Sequence, residues 1–268
     1  MGLFKSKKWE DDIPKGHASR CPDGGVVAIW GSPGSGKTIV SVKLAEYLTS
    51  KGNNVLLIFS DMESPVLPYI TYEDDIKIER SMGSVLAAAH ISPDLIKRNC
   101  VITSRNNYLA ILGLNRSENS YIYPLYDADL TNEMIEAARN VAPFVIVDCC
   151  SYHLGSHITK SALARADAIV RVCRCDRKSL SYFDSQENYF KGQGWAYENQ
   201  ILVGNSLRSD HSYESIESLL GAMSVKIPYS EEVERQFLEG DLLRRLRANE
   251  SRQFRQSIER LSMEVFGI

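Results

Sequence analysis

Residues 26–38, which read Val-Val-Ala-Ile-Trp-Gly-Ser-Pro-Gly-Ser-Gly-Lys-Thr, constrain the fold more than any other stretch of the chain. A short apolar run enters a glycine-rich loop, and apolar residues at helical spacing follow the loop. The loop fits the pattern G-x-x-x-x-G-K-S/T, with its fixed residues at Gly31, Gly36, Lys37 and Thr38. This order of strand, glycine loop and helix predicts a parallel α/β architecture with an anion bound at the start of the helix.

The residue types in the loop indicate which anion it binds. Glycines allow the backbone to turn successive N–H groups toward a polyphosphate, and the following helix adds the positive end of its dipole. Lys37 can reach the β- and γ-phosphates, and the Thr38 hydroxyl can ligate Mg²⁺. A ligand-free glycine turn is the alternative, and the flanking strand and helix argue against it. The predicted nucleotide-binding residues of this loop are Gly31, Ser32, Pro33, Gly34, Ser35, Gly36, Lys37, Thr38 and Ile39.

Two aspartates follow apolar runs further along the chain. Residues 144–147 are Phe-Val-Ile-Val, and Asp148 comes directly after them, which is the Walker B form of a Mg²⁺-holding strand. Thr38 and Asp148 are therefore the predicted metal-binding residues. Asp61 follows the apolar run 55–59 and is expected at the carboxyl end of a strand, where ligands sit in open α/β sheets. Asp61 either contacts a ligand bound there or caps the next turn. Residues 149–155 are a candidate switch loop.

The remaining pattern predicts one doubly wound, mostly parallel sheet with helices on both faces. The helix after the loop is expected to be amphipathic and to end near Gly52. Residues 101–103 and 108–112 are candidate strands that form either a hairpin or two successive strands. Thr131 is expected to cap a helix that runs through Val141.

The two ends of the chain are interpreted separately from this sheet. Residues 1–24 are predicted to be a flexible leader, and residues 25–268 a single domain with C-terminal helices. In the tail after Ser230, four apolar residues form one helical stripe: Phe254, Ile258, Leu261 and Val265. Six arginines lie within residues 244–260 of this tail: Arg244, Arg245, Arg247, Arg252, Arg255 and Arg260. Such an ending docks on a membrane or on phosphates, or packs on the sheet with its arginines in water.

Composition limits the classes of partner and compartment. The chain has 31 basic and 34 acidic residues, a net charge of −3, so nucleic-acid binding would require a local patch. No run of about 18 apolar residues is present, and we expect a cytoplasmic protein. The six cysteines fit a reducing compartment, because several of them lie in apolar, strand-like runs where a reduced thiol behaves as a small hydrophobe.

Over roughly residues 25–240, the order of these features resembles the MinD/ParA group of P-loop ATPases. Within that group the chain is most similar to the TadZ/CpaE-like members, which localise pilus or secretion machinery. The order consists of Gly31 to Thr38, Asp61, Asp148, "ADAIV" at 166–170, "VGNSL" at 203–207 and "KIPYSEEVERQFLEG" at 226–240.

This resemblance implies a P-loop NTPase fold of the SIMIBI type and the slow hydrolysis of ATP to ADP and phosphate. Lys37 and Asp61 would be catalytic, with Asp61 orienting or activating the attacking water. Asn205 would contact the adenine edge, and Pro228 would line the base pocket. Two protomers would close face to face over ATP and Mg²⁺ and engage a protein partner, non-specific DNA or the inner face of the membrane.

The chain departs from the family at two positions. Family members usually carry a second lysine after the first loop glycine, and here that position is Ser32. A hydroxyl supplies no positive charge to the transition state, so either another basic residue substitutes or hydrolysis is slow. In addition, Phe59 stands where the family often has an acid, which leaves Asp61 as the candidate.

Two other functions use the same nucleotide-binding sheet. A DNA-partition ATPase would hold non-specific DNA with the C-terminal arginines. A small-molecule kinase would use Asp61 for an acceptor hydroxyl and residues 64–130 as acceptor pocket and lid. A protein-tyrosine kinase of the same superfamily would carry a tyrosine-rich C-terminal tail, whereas the last tyrosine here is Tyr229.

Overall fold

A computed structural model describes residues 20–71, 73–123, 126–152, 156–195, 199–208 and 213–268. The strands are β1 (Gly25–Gly31), β2 (Val55–Phe59), β3 (Val101–Thr103), β4 (Asn106–Leu112), β5 (Phe144–Asp148), β6 (Ala168–Cys173), β7 (Ile201–Leu207) and β8 (Val225–Pro228). The helices are α1 (Lys37–Ser50), α2 (Met82–Leu86), α3 (Pro93–Asn99), α4 (Ala128–Arg139), α5 (His157–Arg165), α6 (Arg177–Gly192), α7 (Glu214–Leu220), α8 (Glu231–Glu239) and α9 (Arg252–Phe266).

The described strands form an eight-stranded sheet in the order β3-β4-β2-β5-β1-β6-β7-β8. Every neighbouring pair is parallel except β3 and β4. Strand β1 lies between β5 and β6, with Ile29 opposite Asp148 on one side and Val170 on the other. The carboxyl ends of these strands therefore meet at one edge, directly beside the glycine loop. The predicted fold class, a doubly wound and mostly parallel sheet, is confirmed.

Helices cover both faces of the sheet, because side chains alternate along each strand. Val27 and Ile29 belong to a core cluster shared with α1, α8 and α9. Val26, Ala28 and Trp30 belong to a second cluster, which is shared with α2 to α7. Both faces are thus buried, which explains why the central strands are continuous apolar runs without polar alternation.

Helix α1 differs from the amphipathic helix that the sequence predicts. It ends at Ser50 as expected, but its buried residues include Ser41, Lys43 and Thr49 as well as the aliphatic ones. The reason is that α9 packs on the side of α1 that the sheet leaves open. A helix between a sheet and another helix has little surface left for water, so its polar side chains must find partners within the protein.

Two local predictions have different outcomes in the structure. Strands β3 and β4 form a hairpin, with Ile102 opposite Ala110. The predicted cap at Thr131 is wrong, because Asp127 caps α4 by accepting the backbone N–H of Leu130, and Thr131 lies buried in the first turn.

The segment before β1 and the C-terminal helix meet on the α9 side of the sheet. The predicted apolar stripe of the tail is confirmed, because Phe254, Ile258 and Leu261 of α9 are buried in the core cluster that contains Val27 and Ile29. Cys21, near the end of the predicted leader, is buried, and its backbone N–H donates to the Val265 carbonyl at 2.8 Å. Leader residues 1–19 lie outside the described residues. No described helix combines the length and hydrophobicity needed to cross a bilayer.

Candidate functional site

The glycine loop between β1 and α1 requires glycine for two distinct reasons. Gly34 and Gly36 have φ of 71° and 82°, in the left-handed region that other residues rarely adopt. Space is also restricted, because a Cβ on Gly31 would lie 1.9 Å from the Val172 carbonyl oxygen. A Cβ on Gly36 would lie 2.3 Å from Nδ2 of Asn205. The loop is therefore fixed in shape by β6 and β7, and its glycines allow that close approach.

Lys37, the first residue of α1, is held at the mouth of the loop. Its Nζ donates to the Ser151 Oγ at 2.6 Å and to the Ser32 carbonyl at 3.2 Å. Burial lowers the pKa of Lys37, and the charge of Asp148 opposes that shift. The Lys37 ammonium is bonded to neutral oxygens here. Its hydrogen bonds become stronger when phosphate oxygens replace them, since a hydrogen bond between two charged groups is stronger than one to a neutral acceptor.

Asp148 lies at the end of β5 and faces the start of α1. Its Oδ2 accepts the Thr38 hydroxyl at 2.6 Å, and its Oδ1 accepts the Ser41 hydroxyl at 3.1 Å. Burial raises the pKa of Asp148 to about 6, while those hydrogen bonds and the Lys37 charge act in the opposite direction. The structure thus brings together Thr38 and Asp148, which the sequence predicts as the metal-binding pair.

This arrangement fits Mg²⁺, because hard carboxylate and hydroxyl oxygens are its usual protein ligands. Among the described residues, no cluster of three or more acidic, His or Cys side chains could hold a metal ion. Mg²⁺ in phosphate sites takes only one or two protein ligands and completes its shell with phosphates and water. Thr38 and Asp148 are therefore a sufficient protein contribution for such an ion.

A cavity of about 350 Å³ opens beside the loop, on the side of β7 and β8. Its loop-side walls are residues 34–39. The other walls are Arg174, Asn205, Ser206, Pro228, Tyr229, Ser230, Val233, Glu234, Phe237 and Phe254. The buried Ser35 hydroxyl in this wall has no hydrogen-bond partner among the described residues. The volume and the mixed polar and apolar lining are typical of a small-molecule site.

Asn205 and Pro228, predicted from the resemblance, both line this cavity. The Asn205 side chain is buried, and its Nδ2 donates to the Ser35 carbonyl at 2.8 Å. Asn205 therefore braces the glycine loop from β7, in addition to facing the cavity. Pro228 ends β8 beside Tyr229, whose ring stacks under the Arg208 guanidinium at 3.9 Å.

Ser32 faces away from the cavity. It is fully buried, and its hydroxyl pairs with the Ser179 hydroxyl near the start of α6. Only the Ser32 carbonyl, which accepts from Lys37, faces the site. Gly31, Ser32 and Pro33 shape the loop without lining the cavity. Among the described residues, Arg174 is the basic residue other than Lys37 that lines the cavity, and its Nε lies 3.5 Å from an Asp176 carboxylate oxygen.

Asp61 follows β2 on the same edge of the sheet. Its Oδ1 accepts the backbone N–H groups of Glu63 and Ser64, both at 2.9 Å. This is the turn-capping role that the sequence leaves open. Burial dominates the pKa shifts of Lys37 and Asp148, and the Asp61 charge makes a smaller contribution to both. Asp61 therefore lies within electrostatic reach of the site, and its catalytic role stays a prediction.

Sequence reasoning misses two hydroxyls that organise the site. The Ser151 hydroxyl accepts a hydrogen bond from the Lys37 ammonium and donates one to the Gly31 carbonyl at 3.0 Å. The Ser151 backbone carbonyl accepts the Tyr182 hydroxyl. Ser41 lies four residues after Lys37, one turn into α1, and its helical spacing could have indicated that it faces Asp148. Ser151 lies in the candidate switch loop, of which residues 153–155 are outside the described residues.

Part of the chain matches a known protein family by sequence. A profile of the family described as "Chromatin associated protein KTI12" matches residues 25–112, which is less than half of the chain. That region contains the glycine loop but neither Asp148 nor Asn205. No curated protein sequence matches the chain.

Solved structures match over most of the chain. MinD of Pyrococcus horikoshii, a septum site-determining protein complexed with Mg-ADP, is 20% identical with a TM-score of 0.68, covering 89% of this chain and 94% of that one. A ParA family ATPase from Chlorobium tepidum is 15% identical with a TM-score of 0.70, covering 88% and 96%. The McdA–ATP complex of Cyanothece is 14% identical with a TM-score of 0.67, covering 90% and 96%. At these identities the likeness shows the fold, which is that of the MinD/ParA ATPases.

Proposed function

We propose that this protein is a nucleotide-switched positioning ATPase, which binds ATP with Mg²⁺ and associates with a second copy of itself in that state. The observation that carries the proposal is the 2.6 Å hydrogen bond between Thr38 and Asp148, beside Lys37. It joins a P-loop and a Walker B carboxylate at the mouth of a cavity large enough for a nucleoside. Structural neighbours that bind ADP or ATP support the choice of adenine nucleotide.

In the proposed bound state, the backbone of residues 34–36 cradles the phosphates. Lys37 exchanges its bonds to Ser32 and Ser151 for bonds to the β- and γ-phosphates. Thr38 and Asp148 hold Mg²⁺, which neutralises phosphate charge when bound. The base enters the cavity between Asn205 and Pro228. Asp61 orients the attacking water, as the resemblance implies.

The switch follows from the partners of Lys37. Because the Ser151 hydroxyl is hydrogen-bonded to both Lys37 and the Gly31 carbonyl, a γ-phosphate that takes Lys37 away removes one of the hydrogen bonds that hold the segment after β5. A segment ordered or released by a phosphate is a common switching device in nucleotide-binding proteins. We propose that this rearrangement exposes or completes the surface for dimerisation and for a protein partner, which in the TadZ/CpaE-like interpretation belongs to a pilus or secretion apparatus.

Slow turnover is part of the proposal. The only basic side chain bonded to the loop among the described residues is Lys37, and the Ser32 hydroxyl is turned toward Ser179. Arg174 is the second basic residue in the wall of the cavity. A site with one positioned cation stabilises the transition-state charge less than a site with two, so the bound state lasts longer.

The test is sedimentation velocity of the wild type and Lys37→Ala, each with ATP and Mg²⁺, with ADP and Mg²⁺, and without nucleotide. We expect the wild type to shift toward a dimer with ATP alone, and Lys37→Ala to sediment as its nucleotide-free form throughout. Lys97→Ala, at an exposed lysine in the last turn of α3, is the matched control and should follow the wild type. Identical sedimentation of the wild type and Lys37→Ala with ATP would refute the switch.

A further inference from the structure

A second cavity, of about 450 Å³, lies between α1 and α9, and we call it the α1–α9 cavity. It is separate from the P-loop, since none of residues 31–38 lines it. The basic residues in its wall are Lys43, Lys51, Arg245, Arg252 and Arg255, and the acidic ones are Glu46 and Glu259. The apolar residues are Leu246, Phe254 and Ile258, together with the ring of Tyr47.

The two acidic side chains are already engaged. The Glu46 Oε2 accepts the Lys43 ammonium at 2.9 Å. The Glu259 Oε1 accepts the Tyr47 hydroxyl at 3.3 Å. Lys43 itself is satisfied by two further oxygens, the Gln236 Oε1 and the Arg244 carbonyl, both at 2.8 Å. These groups form the polar inner part of the cavity wall. The five basic residues of the wall outnumber its two carboxylates, so the cavity carries an excess of positive charge.

The rim carries the guanidinium groups of Arg245 and Arg252. Both residues are exposed, and neither is within ion-pair distance of a carboxylate among the described residues. Arg255 contributes a third guanidinium, which donates to the Ala248 carbonyl at 2.9 Å. Planar guanidinium groups bind phosphate oxygens in pairs, and several of them around one cavity favour an anion with more than one charge.

From this arrangement we propose that the α1–α9 cavity binds a small molecule with a phosphate group and an apolar portion. The phosphate lies between Arg245 and Arg252, and the apolar portion lies against the partly exposed ring of Tyr47. The volume is within the range of small-molecule pockets, which span about 300–1,000 Å³. The ligand is either a free metabolite or the head group of a phospholipid, and the experiment distinguishes these sources.

Phe254 also lines the nucleotide cavity, so the two sites are neighbours across one side chain. A phosphate probe could therefore bind at the P-loop and be mistaken for a ligand of the α1–α9 cavity. The Lys37→Ala variant separates the two, because it weakens phosphate binding at the P-loop alone. Comparison of that variant with the rim variants assigns the site whether or not the P-loop binds a nucleotide.

The experiment is calorimetric titration with phenyl phosphate, which carries one phosphate and one apolar ring. The proteins are the wild type, Lys37→Ala, Arg245→Ala/Arg252→Ala and the matched control Arg98→Ala/Arg235→Ala. The control removes two exposed arginines outside the cavity and changes the net charge equally. We expect saturable binding by the wild type, Lys37→Ala and the control, and at least a tenfold loss, about 1.4 kcal/mol, in the rim variant.

A second arm measures cosedimentation with vesicles of phosphatidylglycerol, with phosphatidylcholine vesicles as reference. Binding to the anionic vesicles that the rim variant loses supports the lipid head group as the source, and phenyl phosphate binding without vesicle binding supports a free metabolite. Loss of phenyl phosphate binding in Lys37→Ala but not in the rim variant overturns the proposal. The absence of saturable binding to both probes also overturns the proposal. The same holds if the rim arginines bind duplex DNA but neither phenyl phosphate nor vesicles.

Discussion

At the residue scale, Gly36 shows how a single backbone position controls the site. Its φ of 82° lies in the left-handed region, and a Cβ there would meet Nδ2 of Asn205 at 2.3 Å. That nitrogen is held by the Ser35 carbonyl, so the Asn205 side chain cannot move aside without losing a buried hydrogen bond. Gly34 has a similar φ of 71° but open space where its Cβ would be. A side chain at Gly34 would therefore cause conformational strain alone, whereas a side chain at Gly36 would cause the same strain and a steric clash.

We expect Gly34→Ala to lower the free energy of unfolding by about 1 kcal/mol, which is the cost of a left-handed conformation for alanine. Gly36→Ala should cost about 1 kcal/mol more, because the Asn205 hydrogen bond is lost as well. Urea denaturation without nucleotide measures both variants. Equal losses in the two variants would mean that Asn205 does not brace the loop.

At the scale of an element, α1 connects the P-loop to the C-terminal part of the chain. Lys43 is in the middle of this helix, with 2% of its side chain exposed, and it binds Glu46 of α1, Gln236 of α8 and the Arg244 carbonyl. Burial lowers the pKa of Lys43 and raises that of Glu46, and their mutual attraction opposes both shifts. Lys43 therefore holds α1, α8 and the segment at Arg244 together. The cost is the desolvation of two charges, those of Lys43 and Glu46.

We expect Lys43→Met to lower the free energy of unfolding by about 3 kcal/mol, because it leaves Glu46 partly buried without its cation. The double variant Lys43→Met/Glu46→Leu should recover most of this loss, since it replaces both charges with apolar side chains. Thermal and urea unfolding monitored by circular dichroism provide the comparison. If the double variant is no more stable than Lys43→Met, the interaction with Glu46 is not the main contribution of Lys43.

At the scale of the whole molecule, the proposed nucleotide contacts parts of the chain that lie far apart in sequence. It would contact the start of α1, the end of β5 and the cavity between β7, β8 and α8. A ligand that binds only the folded state raises the free energy of unfolding by an amount that depends on its concentration relative to its Kd. Stability should therefore report nucleotide binding without any assumption about hydrolysis.

We expect ATP with Mg²⁺ at a hundredfold excess over its Kd to stabilise the wild type by about 2.7 kcal/mol. Removal of Mg²⁺ with EDTA should reduce the effect, and Asp148→Asn should make it insensitive to Mg²⁺, because Asp148 is the predicted metal-binding carboxylate. Lys37→Ala should show no stabilisation. Differential scanning calorimetry measures all four conditions, and an unchanged Tm of the wild type with ATP and Mg²⁺ would contradict nucleotide binding.

The sequence by itself determines the parts of this protein that are local. Strand β1, the glycine loop and the start of α1 are contiguous, so their spacing alone predicts both the parallel sheet and the shape of the loop. Asp148 is predictable for the same reason, since four apolar residues and an aspartate define the end of a buried strand. The family resemblance adds Asn205 and Pro228, which the structure indeed places in the wall of the cavity beside the loop.

Only the tertiary structure decides which side chains meet. Lys37 and Ser151 are 114 positions apart, Asn205 and Ser35 are 170 apart, and Ser32 and Ser179 are 147 apart. No periodicity connects such pairs, because each depends on how the strands order themselves in the sheet. The same holds for Lys43, which is buried because α9 covers the outer side of α1. Local spacing thus fixes where phosphate can bind, and long-range packing fixes what surrounds it.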